Sequence, residues 1–171
     1  MKAWYFSDGK KLRFGDNRII KAGRTHKVKG EIVECEHGLH ASKNILDALN
    51  YAPGSTVWRV ELGGEIIQGD DKMAASERTY LWGYDAEPVL RKFARMCALD
   101  VIHLWDAPEI VVRYLKTGDE SIRDAARTAA GDAAGDAARA ASWDAAWDAA
   151  WAAARAKQNR RLLHMIRKGR A

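Results

Sequence analysis
The sequence predicts an α+β fold: a small antiparallel sheet with one short helix, followed by an all-helical, alanine-rich C-terminal region. Three observations predict it. Short β-branched and aromatic runs, separated by Gly, Asp and Asn turn signals, fill the first half. From Asp85 onward apolar residues recur at helical spacing. Strands precede helices, which is not the βαβ alternation of a nucleotide-binding parallel sheet. The expected boundary separates a sheet domain, 1–84, from a helical region, 85–171, which holds an alanine repeat (119–155) and a basic end (156–171).

Taken in order, Lys2 to Ser7 (KAWYFS) reads as a strand and Asp8-Gly9 as a turn. Leu12 to Phe14 is the expected return strand. Arg18 to Ala22 and Thr25 to Val28 flank Gly23 as a further hairpin. Glu31 to Cys35 (EIVEC) is strand-like by its β-branched content, and His37 to Ser42 reads as a loop. Ser42 is the expected N-cap of a helix over Asn44 to Tyr51, stopped by Pro53-Gly54. Thr56 to Leu62 alternates best: Val57, Arg59 and Glu61 on one side; Thr56, Trp58, Val60 and Leu62 on the other. Gly63-Gly64 is expected to turn the chain into a returning strand, Glu65 to Gln68, and Thr79 to Trp82 is one more short strand. Pro88 suits a helix first turn, Gly118 a C-terminal stop, and Asp119 a cap for the alanine-rich helix.

That helix is built on a tetrad repeat, DESIRDAARTAAGDAAGDAARAASWDAAWDAAWAAAR. Alanine is the strongest helix former, whereas Gly131 and Gly135 each cost about 1 kcal/mol against it. An unbroken helix would span roughly 55 Å. A period of 4 advances the alanine stripe by about 40° per tetrad, so it winds around the helix. The alternative is a break near Gly131 or Gly135. Trp143, Trp147 and Trp151 fall within roughly 80° of one another and should form a ridge.

The net charge of +5 is unevenly placed. Residues 1–30 carry nine Lys/Arg and two acids, and the last sixteen carry six and none. The 37 residues of the alanine repeat carry four against seven. Two basic ends around an acidic middle either neutralise that middle or meet an anionic partner. No apolar run reaches the roughly 18 residues of a membrane span, and the N-terminus lacks an apolar signal core. A cytoplasmic protein is therefore expected, with Cys35 and Cys97 as two buried thiols and not a disulfide.

Motifs that would fix a reaction are missing. Glu34 to His40 (ECEHGLH) is the densest polar cluster, but it has no C-x₂-C and no H-x₃₋₅-H spacing, so no metal is expected. A Cys35–His nucleophile pair has nothing to orient its base. No G-x-G-x-x-G or Walker loop occurs, and no cofactor is expected. Asp70-Asp71 reads as a solvated turn. Trp4, Tyr5, Phe6 and Trp58 sit on strands with basic residues nearby, a pattern shared by a base-stacking sheet and, far more commonly, by a core.

Residues 27–66 run KVKGEIVECEHGLHASKNILDALNYAPGSTVWRVELGGEI. The run Gly30, Glu31, Ile32, Cys35, Gly38, Leu39, His40, Ala41, then Leu46, Asp47, Leu49, Tyr51, then Glu61 and Gly64 resembles small phage and prophage proteins with an N-terminal domain of unknown function. That resemblance implies a mobile-element origin and no particular activity. The second half resembles alanine-rich helical repeats of bacterial immunity proteins. A third, fold-level similarity is to ADP-ribosyltransferases, through Gly38 to Ser42, Asn50-Tyr51-Ala52 and Val57 to Glu61. His40 stands where that family stacks a Tyr, and the first strand lacks a clear His or Arg.

The expectation is a non-enzymatic accessory protein of phage or prophage type, acting by macromolecular binding, with a host defence component as one candidate target. Protein binding or self-association is expected through Trp143, Trp147 and Trp151 and the basic residues Arg160, Arg161, Arg167 and Lys168. An ADP-ribosyltransferase-like enzyme, or a degenerate NAD-binding relative, is the alternative, with His40, Tyr51 and Glu61 in its site. A nucleic-acid-binding module working through residues 1–30 and 157–170 is the third.

Overall fold
The computed structural model describes residues 1–13, 16–137 and 147–170, without the side chains of 132–137 and 147–152. Its elements are β1 (Lys2–Ser7), β2 (Thr25–Lys27), β3 (Leu39–Ala41), α1 (Ile45–Asn50), β4 (Thr56–Gln68), β5 (Met73–Asp85), α2 (Glu87–Asp100), α3 (Glu109–Thr117), α4 (Arg123–Ala137) and α5 (Trp147–Gly169). The class is α+β, with an antiparallel sheet first and most helices later. The chain divides into two units, Met1–Glu87 with Asn159–Ala171, and Pro88–Gln158. No helix among the described residues is long and apolar enough to cross a membrane.

In the first unit, β1, β4, β5 and β2 lie side by side, and β3 adds to β5. Trp4 and Ser42 also form an antiparallel bridge, so the chain just after β3 joins the two edges of the sheet. Edge backbone that would otherwise be unpaired is thereby satisfied. Ala3, Trp58, Val60, Leu62, Tyr80, Leu12 and Ile20 belong to one buried apolar cluster.

Two irregularities set which side chains face where. Arg59 pairs with Trp82, but Val60 pairs with Tyr80, so Leu81 is an extra residue on β5. Because side chains alternate along a strand, this bulge sends Tyr80 and Trp82 to opposite sides of the sheet. The second irregularity corrects an expectation. Gly63-Gly64 does not turn the chain. Gly64, at φ 67°, forms a bulge, and β4 continues through to Gln68. A Cβ there would collide with Ser76 Oγ, so glycine is required for backbone shape and for space. The reversal comes later, at Gly69 to Lys72, where the Gly69 amide donates to the Lys72 carbonyl.

Other expectations shift for local reasons. EIVEC is not a strand. Val33 and His37 pair across a turn that places Cys35 at φ 68°. His37 to Ser42 is not a loop throughout, because Leu39 to Ala41 pairs with β5. Ser42 is committed to its bridge with Trp4 and caps nothing. The α1 amide of Leu46 donates instead to Asn159 Oδ1, from the middle of α5. Thr25 to Lys27 pairs with β5 and not with residues 18–22. The expected return strand at 12–14 is a single bridge, Lys11 to Ile19, and Phe14 lies outside the described residues. Thr79 to Trp82 belongs to a strand of 13 residues.

In the second unit, Gly118 ends α3 in the left-handed conformation and Asp119 accepts from the Ser121 amide, as expected of those residues. Among the described residues, Phe93, Val111 and Ala126 are its buried apolar side chains. Arg91 and Arg123 share Glu120, and Lys157 meets Asp100. Helix α4 runs through Gly131 and Gly135, so neither breaks it. Residues 138–146, with Trp143, lie outside the described residues, as do the side chains of Trp147 and Trp151 on α5.

Candidate functional site
A cleft of about 680 Å³ opens in the first unit. At its heart is Arg78 on β5, only 2% exposed. Arg78 and Tyr80, two residues apart on the strand, share one side and are both buried, so a cation occupies a core position. Its guanidinium lies 3.8 Å from the Tyr5 ring centroid and 5.1 Å from that of Tyr80. Arg78 Nε and Nη2 donate to Tyr80 Oη at 3.1 and 2.7 Å, and Nη1 donates to the His40 carbonyl. Three of the roughly five N–H groups of an arginine are thus used. No carboxylate pairs with Arg78 among the described residues.

Tyr80 is the post that holds this cation. It is fully buried and meets Tyr5, His26 and Trp58 edge-on at 6.3, 5.2 and 5.4 Å. Burial pushes its phenol pKa up, so it stays neutral and serves as an acceptor. Trp58 is fixed in turn by its Nε1 donating to Ser7 Oγ at 3.0 Å.

His40 lines the same cleft, and its Nε2 is buried with no hydrogen-bond partner. Burial, then the charges of Lys72 and Arg78, hold its pKa below the ordinary histidine value. The imidazole is neutral at physiological pH. At the mouth stands Tyr51, with the Lys72 ammonium 4.5 Å from its ring centroid. Tyr51 Oη donates to both carboxylate oxygens of Asp71 at 2.9 and 2.7 Å. The Cys35 side chain raises the Lys72 pKa, against the opposing effect of burial. Asp16, also in the lining, is spent on Arg18, which lowers its pKa.

Of the three catalytic candidates, His40 and Tyr51 line one cleft and Glu61 does not. Glu61 is exposed on β4, across from Lys2 and Thr79. His37 lines the cleft, but its Nε2 is bonded to the Lys29 carbonyl. No group of three or more His, Cys, Asp or Glu suited to a metal occurs among the described residues. Arg160, Arg167 and Lys168 are exposed near the end of α5, and Arg161 is half-buried. The sequence did not single out Arg78, Tyr80 or Lys72, and it marked Tyr5 only as a core or base-stacking aromatic. The available signal was an arginine two positions from a tyrosine on a strand whose full length was not apparent.

Arg78, His40, Tyr51 and Lys72 lie in one continuous segment of the chain. Residues 17–92 match the family described as "Domain of unknown function (DUF7666)". The matched segment takes in β2, β3, α1, β4 and β5 and leaves out β1, with Tyr5, and the end of α5. No curated protein and no solved structure matches the chain.

Proposed function
We propose that the first unit is a recognition module that binds an anionic group in the Arg78 cleft and works by binding, not by turnover. One observation carries this: a deeply buried guanidinium with no carboxylate partner, beside a buried, unpartnered histidine nitrogen. A buried charge costs several kcal/mol unless it is compensated. Here two phenol rings, one phenol oxygen and one carbonyl compensate it in part, and a bound phosphate or carboxylate would complete the set. On taking up a proton, His40 adds a second donor at Nε2, since the neutral ring keeps its proton on Nδ1 toward the Gly38 backbone. The aromatic walls suit an apolar or aromatic body attached to that head.

The cleft offers binding groups without an oriented nucleophile and base, which favours an accessory role. The likeness of residues 27–66 to phage and prophage proteins supports placing that role in a mobile element, in the host cytoplasm. The alanine-rich helices would contribute a protein partner or self-association. An ADP-ribosyltransferase-like or NAD-binding alternative retains His40 and Tyr51 in the cleft and lacks Glu61 there.

Thermal melting with a ligand panel tests the reading. Phosphate, sulfate and adenosine monophosphate should raise Tm in wild type and not in Arg78→Met, with neutral adenosine giving no rise. Equal stabilisation by adenosine, or unchanged stabilisation in the variant, contradicts it. A rise with NAD alone, accompanied by nicotinamide release, would replace it with the enzymatic alternative.

A further inference from the structure
The opposite side of the sheet carries a second, chemically different feature. Trp4, Arg59 and Trp82 sit side by side on β1, β4 and β5, in register. The Leu81 bulge is what brings Trp82 to this side. Arg59 lies 4.6 Å from the Trp4 ring centroid, and Arg170, from the chain's end, lies 4.6 Å from that of Trp82. Trp82 meets Trp4 edge-on at 5.7 Å and stacks near Tyr84 at 6.5 Å. Tyr84 Oη donates to the Ile166 carbonyl at 2.8 Å, and Leu162 and Ile166 are fully buried, which anchors the end of α5 in this unit.

Lys2, Arg59, Arg167 and Arg170 line a groove of about 420 Å³ with these two indoles and no acid. None of the four makes an ion pair among the described residues. Glu61, across from Lys2, makes none either and is absent from the lining. Burial first, then the nearby Arg167 charge, lowers the Arg59 pKa, in keeping with like charges held close together.

We propose that this groove binds single-stranded nucleic acid. The argument is charge complementarity joined to stacking. Four cations spread along a groove fit a chain of phosphates better than one anion. Guanidinium planes lying on indole rings are platforms on which bases stack. An acidic protein would meet the charges but make no use of the planes. The cations come from both ends of the sequence, Lys2 at one and Arg167 and Arg170 at the other, so folding gathers the two basic ends beside Arg59. The groove shares Trp4 with the Arg78 cleft, but its cations are not in that cleft's lining.

Fluorescence anisotropy with a short labelled oligothymidylate, across a salt series, tests the proposal in the full-length protein. Affinity should fall steeply with salt, and Arg59→Gln and Arg167→Gln should each flatten the log–log slope by roughly 0.7. Arg59→Lys keeps the charge and loses the plane. It should retain the slope but weaken binding several-fold, which separates stacking from charge and guards against a folding artefact. Trp82→Phe should remove much of the tryptophan quenching seen on binding. Arg78→Met should change none of this. Salt-independent or absent binding overturns the proposal. So does equal or tighter retention of heparin or of phosphatidylserine vesicles, which would mark a general polyanion or membrane surface.

Discussion

Both sides of the sheet rest an arginine on an aromatic ring, and they do so differently. Arg78 is buried, and its hydrogen bonds to Tyr80 Oη and the His40 carbonyl fix its plane. Arg59 is half-buried and stacked on Trp4, with other cations around it and no hydrogen bond of that kind. The first is a single charge set in a rigid frame, suited to one anionic head. The second belongs to a row of charges whose mutual repulsion an extended anion relieves. Position relative to one bulge, at Leu81, separates the two environments.

The largest expected effect tests the rigidity of the Arg78 frame. Tyr80→Phe removes the acceptor of two guanidinium bonds and should cost about 2–3 kcal/mol in urea unfolding, because bonds to charged groups are the stronger ones. In an Arg78→Met background the same change should cost under about 1 kcal/mol, since no charge is left stranded. Equal costs in both backgrounds would show that Tyr80 serves packing alone and that Arg78 is not framed by it.

Gly83→Ala comes next. Gly83 pairs with Trp58, and a Cβ there would collide with that ring. Displacing Trp58 disturbs its contact with Tyr80, so the variant should lose about 1–3 kcal/mol. Near-ultraviolet circular dichroism should report the altered tryptophan environment, and an unchanged spectrum would show that the ring is not held as described.

How much of this was legible in the sequence differs between the regions. The α+β order, the helix stop at Gly118, the capping role of Asp119 and the best alternating strand were readable because local propensity and turn chemistry decide them. The Gly63-Gly64 hairpin failed because a left-handed glycine serves a bulge as readily as a turn, and only the partner strand decides which. The Glu31–Cys35 strand failed for the opposite reason: β-branched content favours a strand, but the left-handed backbone at Cys35 closes a turn there. Half of the candidate site was visible. His40 and Tyr51 stood out as residue types in a resemblance, whereas Arg78 became notable only once burial was known. The Trp4–Arg59–Trp82 row was hidden because it depends on register across three strands.

Smaller effects sharpen the contrast further. Burial lowers the pKa of both His26 and His40, so in each the folded state takes up a proton less readily than the unfolded chain. Stability from these groups is therefore complete above the unfolded value near 6.5 and falls as pH drops below it. Urea midpoints should be flat above about pH 7 and decline towards the acid side, with His40→Gln reducing the decline. Sulfate should counter it, because an anion in the cleft favours the imidazolium. A stability that rises on acidification would contradict the assignment of His40 as a buried neutral group. Smallest of all, Arg59→Gln should shift stability by no more than about 0.5 kcal/mol, as its place in the groove is not structural.

The central claim is that Arg78 awaits an anion. Calorimetric titration of sulfate into wild type, Arg78→Met and Arg59→Gln, at an ionic strength that screens the exposed groove, tests it most directly. The account predicts saturable single-site binding in wild type and in Arg59→Gln, and at least a tenfold loss in Arg78→Met. Equal affinity in wild type and Arg78→Met, or a loss only in Arg59→Gln, would contradict it.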